Sequence, residues 1–222
     1  MRWQTLTKTL TAAVVNNVAL TQALAAAGAL TLNGAAVTAG IAQLDSQRRI
    51  SILSSGNDSG LVWTVSGTMQ SGATISENVT GGNAVAVMTL QDFYTVTSVV
   101  GSGATAGTVQ VGTNSTGSSA WIPVDAFMGP EQFGFNVQLL SGGATATIET
   151  AADSPFPPLP IYMPGYSQTQ PIPLPFPLPG ITAVVGNAQT GLALTGIAAW
   201  RLTLGGAAGS FSAVCLQTGI IN

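Results

Sequence analysis

The chain has 222 residues, only 6% of them charged, with a net charge of −3, no histidine and one cysteine. That length is enough for one buried core, and a charged fraction far below the rough quarter of ordinary soluble domains points to a surface shared with neighbouring copies. The five basic residues, Arg2, Lys8, Arg48, Arg49 and Arg201, leave no footprint for a phosphate backbone and exclude nucleic acid as a direct ligand.

The opening "MRWQTLTKTLTAAVVNNVALTQALAAAG" has the outline of a secretory signal, but Asn16-Asn17 interrupts its apolar stretch, and it is read as part of the folded chain. Leu6, Leu10, Val14 and Val18 fit a helix, while "VVNNV" and the threonines suit a strand; residues 1–29 are therefore an N-terminal extended arm or a helix. No apolar run reaches the length of a membrane-spanning helix, so no membrane partner is expected.

From Leu30 onward the sequence reads as short strands separated by turn clusters. The segments "LTLN" (30–33), "RISILS" (49–54), "LVWTVSG" (61–67), "TISENVT" (74–80), "AVAVMTL" (84–90), "FYTVTSVV" (93–100) and "GTVQVGT" (107–113) come first. They are followed by "AWIPVDA" (120–126), "FGFNVQLL" (133–140), "ATATIET" (144–150), "ITAVVG" (181–186), "AAWRLTL" (198–204) and "SFSAVCLQ" (210–217). Leu61, Trp63 and Val65 alternate with Val62, Thr64 and Ser66, and "SGND", "GGN" and "SGGA" supply hairpin turns. Strands without intervening helices predict an all-β protein, an antiparallel β-sandwich or barrel-like domain. The core is expected over 30–152, with C-terminal strands over 181–222 completing it.

Between them, Asp153 to Gly180 holds ten of the chain's 12 prolines, and residues 154–180 contain no charge. A solvated spacer would carry polar residues between its prolines. Here Phe156, Leu159, Ile161, Tyr162, Ile172, Leu174, Phe176 and Leu178 stand between them, so 153–180 is read as a proline-rich arm whose apolar side chains contact another subunit. The competing expectation is a loop packed back on its own sandwich.

Chemistry is sparse. Without histidine there is no Ser-His-Asp or Cys-His system and no common zinc site. The single lysine, Lys8, disfavours a Ser-Lys dyad, and Asp45, Asp58, Glu77, Asp92, Asp125, Glu131, Glu149 and Asp153 show no spacing that singles out a carboxylate pair. "GNDSG" (56–60) lacks the further acids of a calcium loop and reads as an Asx turn; "GSGATAG" (101–107) joins strands and does not open a helix, as a phosphate cradle would. Cys215, in "FSAVCLQ", reads as a small buried hydrophobe. The expectation is no catalytic residue, no cofactor and no metal site.

In "LTLNGAAVTAGIAQLDSQRRISILSSGNDSGLVWTVSGT", "ISENVTGGNA", "DFYTVTSVVGSGATAGTVQVGT" and "WIPVDAF", and again in "AAWRLTLGGAAGSFSAVCLQTG", the chain resembles a recurrent group of tailed-bacteriophage virion proteins. The shared order is a basic pair leading a strand, a G-N-D-S-G turn, a strand and a "TVTS…SGATAG" hairpin; the chain departs from the group in its proline-rich 153–180. The resemblance implies a structural component of the virion, assembled in the host cytoplasm, with no catalytic residues to carry over. The expected function is capsid decoration or cement, with partners that are copies of itself, such as a trimer, and the major capsid protein or other virion proteins. The alternatives are a tail, head-to-tail connector or fibre-attachment component, and a soluble binding module presenting Pro155 to Pro160 as a polyproline ligand; the last lacks the basic flank such ligands carry.

Overall fold

β-branched and aromatic residues at period two, punctuated by glycine turns, organise most strands of the described chain. The structure is a computed structural model and describes residues 2–124, 132–152, 175–192 and 197–218. It is all-β: among the described residues there is no helix, and each strand pair of defined register is antiparallel. In chain order the strands begin with β1 (Arg2–Leu10), β2 (Val14–Gln22), β3 (Gly28–Ala29), β4 (Val37–Thr38) and β5 (Ile41–Ser54). They continue with β6 (Val62–Thr68), β7 (Thr74–Thr80), β8 (Ala86–Met88), β9 (Phe93–Gly101), β10 (Val109–Ser118) and β11 (Ile122–Pro123). The last are β12 (Gln132–Gly142), β13 (Thr145–Ala151), β14 (Phe176–Pro177), β15 (Ala188–Leu192), β16 (Ala199–Gly205) and β17 (Gly209–Thr218).

The chain forms two compact units, Leu10–Ser118 and Met1–Thr9 with Ser119–Asn222. The division falls at Ser118, not at residue 153 where the sequence reading ends its core. Residues 1–29 are not one arm: β1 pairs with β17 in one unit, while β2 pairs with β10 in the other. Both are strands, which removes the helical alternative for this segment. Amphipathic spacing shows which residues face inward but not which strand lies alongside.

In the unit Leu10–Ser118 the sheet runs β10-β5-β9-β6-β7, with β2 on β10, β3 on β9, and β4 and β8 on β5. The inward residues of these strands form the core: Ile50 and Ile52 of β5, Trp63 and Val65 of β6, Val96 and Val99 of β9, and Val109 and Val111 of β10. Each such side chain contributes about 1.5–3 kcal/mol when fully buried. β5 is far longer than "RISILS". It starts at Ile41 and carries the buried polar run Ser46, Gln47 and Arg48, where its register with β9 shifts between Gln43 and Arg48. Alternation of apolar residues cannot reveal a strand whose inward positions are polar.

"LTLN" is not a strand. The Gln22 side chain substitutes for a ladder there: its Nε2 donates to the Thr31 carbonyl at 2.9 Å and its Oε1 accepts from the Thr31 N–H at 2.9 Å.

In the other unit two sheets face one another, a sandwich-like arrangement. One runs β1-β17-β12-β15; the other runs β14-β13-β16, with β11 also on β16. Phe133, Phe135 and Val137 of β12 and Phe211, Ala213 and Cys215 of β17 are buried on one side, and Ala146, Ile148, Trp200, Leu202 and Leu204 on the other. Phe135 meets Trp200 edge to face, with ring centroids 5.6 Å apart. "ITAVVG" is not a strand: positive φ at Gly180 (86°) and Ala183 (51°) breaks the extended backbone, leaving only a bridge between Val184 and Ala146. The strand that does form, β15, reads "AQTGL" and has no apolar alternation to announce it.

Candidate interaction surface

The described acids are occupied in holding the backbone together. Asp45 accepts from Thr11 N (3.1 Å) and Thr11 Oγ1 (2.9 Å) and pairs with Arg48 at 3.2 Å. Asp58 accepts from Ala106 N at 2.7 Å, and Glu77 from Leu90 N at 2.7 Å and Gln91 N at 2.8 Å. Asp92 accepts from Ser118 Oγ at 2.8 Å and lies 3.7 Å from Arg49 Nε. Glu149 accepts from Arg201 Nε at 2.6 Å and Thr203 Oγ1 at 2.9 Å, while the Arg201 guanidinium lies over the Trp121 ring. Asp125, Glu131 and Asp153 lie outside the described residues.

Arg48 and Asp58 are the most deeply placed charges, each 1% exposed. Arg48 is held on several sides and also donates to the carbonyls of Thr11 (2.8 Å) and Asn114 (2.9 Å). Burial pulls the pKa of its guanidinium down, and Asp45 opposes that shift. Among the described residues no group of three or more acids, histidines or cysteines is placed to hold a metal ion. In "GNDSG", Asn57 Oδ1 accepts from Ser59 N and Ser59 Oγ, the side-chain turn that the short polar sequence favours.

Of the eight arm residues, Phe156, Leu159, Ile161, Tyr162, Ile172 and Leu174 lie outside the described residues. Phe176 and Leu178 are described, and they differ. Phe176 is 54% exposed on the two-residue strand β14, opposite Thr150 of β13. Leu178 is 1% exposed; its N–H donates to the Ile148 carbonyl at 2.8 Å, and the Ile181 carbonyl accepts from Ile148 N–H at 3.0 Å. Leu178 thus packs within its own unit and is not available to another subunit, a correction to its place among the contact residues. The reason is geometric. β14 ends at Pro177, and the turn that follows, with Ile181 N–H donating to the Leu178 carbonyl at 3.1 Å and a positive φ at Gly180, takes Leu178 out of the strand's alternation and into the interior. Prolines are tolerated at an edge because no further strand needs their missing N–H.

The outer face of the sheet β1-β17-β12-β15 holds a recess of about 650 Å³. Trp3 of β1, 68% exposed, stands at one side. Asn136 of β12 and Gln189 of β15 are direct cross-strand partners, and so are Gly134 and Gly191 beside them. Val214 and Leu216 of β17 complete the wall between Trp3 and the glycines. No charged side chain lines it. An aromatic plane beside primary amides over bare backbone suits an uncharged ligand with carbonyl or hydroxyl groups and is unsuited to an anion.

None of these residues stands out from the sequence alone. "FGFNV" shows a glycine where an outward polar residue belongs, but the glycine opposite it comes from a strand with no periodic signal.

Comparison of the chain with protein-family models, with curated proteins and with solved structures finds no match in any of the three.

Proposed function

We propose that the chain is a structural protein of a tailed-bacteriophage virion, a capsid decoration or cement protein that binds the major capsid lattice and links neighbouring subunits. The observation that carries this reading is the pairing of a neutral, partly apolar surface with charges turned to internal use. The acids staple backbone segments, whereas Leu90 (78%), Val185 (75%), Trp3 (68%) and Val85 (56%) are exposed. A free monomer with so little surface charge is poorly protected against association, while a component held among copies is not exposed to that penalty. The sequence resemblance to virion proteins supports the same reading, and the proline-rich 153–180 supplies an arm that loses little chain entropy on docking.

The test is direct. Antibody-gold labelling of particles from a phage encoding this chain, with image reconstruction of particles with and without it, places the protein. Density repeated over the head lattice is the expected result. Label confined to the tail or neck overturns decoration in favour of a tail component, and absence from particles overturns a virion role altogether.

A further inference from the structure

The recess beside Trp3 has a feature the fold does not explain. A Cβ on Gly191 would meet nothing within 4 Å, and one on Gly134 would touch only Leu216, at 3.8 Å and beyond. Neither glycine has positive φ. Glycine inside a strand weakens it by roughly 0.5–1 kcal/mol relative to alanine, and where packing and backbone angle do not require it, close approach by a ligand or another backbone does. Here two such glycines face each other across one strand pair, leaving a patch of bare backbone beside the Asn136–Gln189 amides, with Val214 and Leu216 between it and the Trp3 indole.

Resting on the reading of 153–180 as an intersubunit arm, we infer that this recess is the acceptor site for the proline-rich segment of a second copy, bound as a polyproline II helix. That helix has no internal hydrogen bonds and offers its carbonyls outward, and such segments are recognised by aromatic-lined grooves with side-chain donors. Trp3 supplies the aromatic plane; Asn136 and Gln189 supply the donors. Four strands span three inter-strand spacings of about 4.8 Å, roughly 14 Å, which is the length of about five polyproline II residues at 3.1 Å each. "PFPPLP" (155–160), with four prolines in six residues, is the six-residue stretch densest in proline and is long enough to cross the sheet. With three residues per turn, Phe156, Leu159 and Tyr162 of a docked segment share one edge, and proline rings on another can lie on the indole. Charge agrees on both sides: the recess has none, and neither has 154–180. The same neutrality argues against a single-stranded nucleic acid, which also stacks on aromatics but needs a basic groove.

Sedimentation of five full-length proteins tests the assignment: the natural chain, Trp3→Ala, Gly191→Val, a chain whose residues 155–174 are replaced by a Gly/Ser linker, and that linker chain with Trp3→Ala. Circular dichroism checks that each keeps its β-fold. Trp3 is largely exposed and a Cβ on Gly191 meets open space, so both variants should fold. A synthetic peptide of residues 153–174 is titrated into the linker-replaced protein with and without Trp3→Ala. The expected result is that all three changes weaken self-association about tenfold or more, that Trp3→Ala adds little to the linker replacement, and that peptide binding requires Trp3.

If the linker replacement abolishes association while Trp3→Ala and Gly191→Val leave it unchanged, the arm docks elsewhere: the groove assignment falls and the arm reading stands. If the linker replacement leaves association unchanged, the arm reading falls and takes this inference with it. If the natural chain is monomeric at every concentration yet the peptide needs Trp3, the segment reaches its own copy's groove and the second-copy inference is wrong. If the peptide fails to bind and a neutral oligosaccharide such as maltohexaose binds with dependence on Trp3, the recess is a sugar site and the inference is overturned.

Discussion

The indole Nε1 of Trp200 donates a 2.8 Å hydrogen bond to Oε1 of Gln4, and Gln4 Nε2 in turn donates to the Pro123 carbonyl at 2.8 Å. One amide therefore ties β1 to both β16 and β11, at a tryptophan that is fully buried. A buried indole N–H left without an acceptor costs about 1–3 kcal/mol. Gln4→Met, which keeps the length and removes both polar contacts, should lower stability by about that amount in urea titration. An unchanged midpoint would mean that water replaces the amide.

A second prediction concerns the clamp on the turn after β1. Arg48 is 1% exposed and holds the Thr11 and Asn114 carbonyls together with Asp45. Removing it takes the donor from the Thr11 and Asn114 carbonyls and from Asp45, so Arg48→Met should destabilise by about 2–3 kcal/mol. Asp45→Asn should lose about 1 kcal/mol or less, because that side chain is 29% exposed and an amide oxygen still accepts from Thr11. Equal losses from the two variants would contradict the asymmetry of burial.

Much of the fold is legible in the sequence for a stated physical reason. "LVWTVSG", "FYTVTSVV" and "ATATIET" alternate about an apolar face, and β6, β9 and β13 follow. Where alternation fails, reading fails. The polar half of β5 is held by Arg48 and by Gln47 Oε1, which accepts from Gln70 N at 2.8 Å, and no hydrophobic period marks it. β15 is a glycine-bearing edge whose identity depends on β12 beside it. The recess needs Trp3, Gly134 and Gly191 together. They lie on three strands far apart in the chain, so only the register unites them.

Glycines with different tasks separate cleanly by substitution. A Cβ on Gly67 would collide with the Thr95 carbonyl oxygen, and one on Gly112 with the Val14 carbonyl, both backbone atoms of paired strands. Gly67→Ala and Gly112→Ala should each destabilise by more than about 2 kcal/mol, since the strands must move apart. Gly191→Ala meets open space and should be neutral, or stabilising by up to about 1 kcal/mol. Thermal unfolding of the three variants checks the ranking. A large loss from Gly191→Ala would make the recess floor part of the packing and weaken its reading as a binding surface.

The last prediction separates the two described residues of the proline-rich stretch. Leu178 is 1% exposed and its backbone pairs with Ile148, whereas Phe176, two residues earlier, is 54% exposed over Thr150. Leu178→Ala removes buried methyl groups from the interior of its own unit and should cost about 2–5 kcal/mol. Phe176→Ser should cost less, at most about 1 kcal/mol, because more than half of the residue already stands in water. Association should respond in the opposite sense: at a temperature where both variants are folded, Leu178→Ala self-associates like the natural chain and Phe176→Ser associates more weakly. Denaturant midpoints paired with sedimentation give both quantities for each variant. If Phe176→Ser melts the protein and leaves association intact, the exposed end of the stretch serves the chain's own fold, and the contact surface has to be sought on another face.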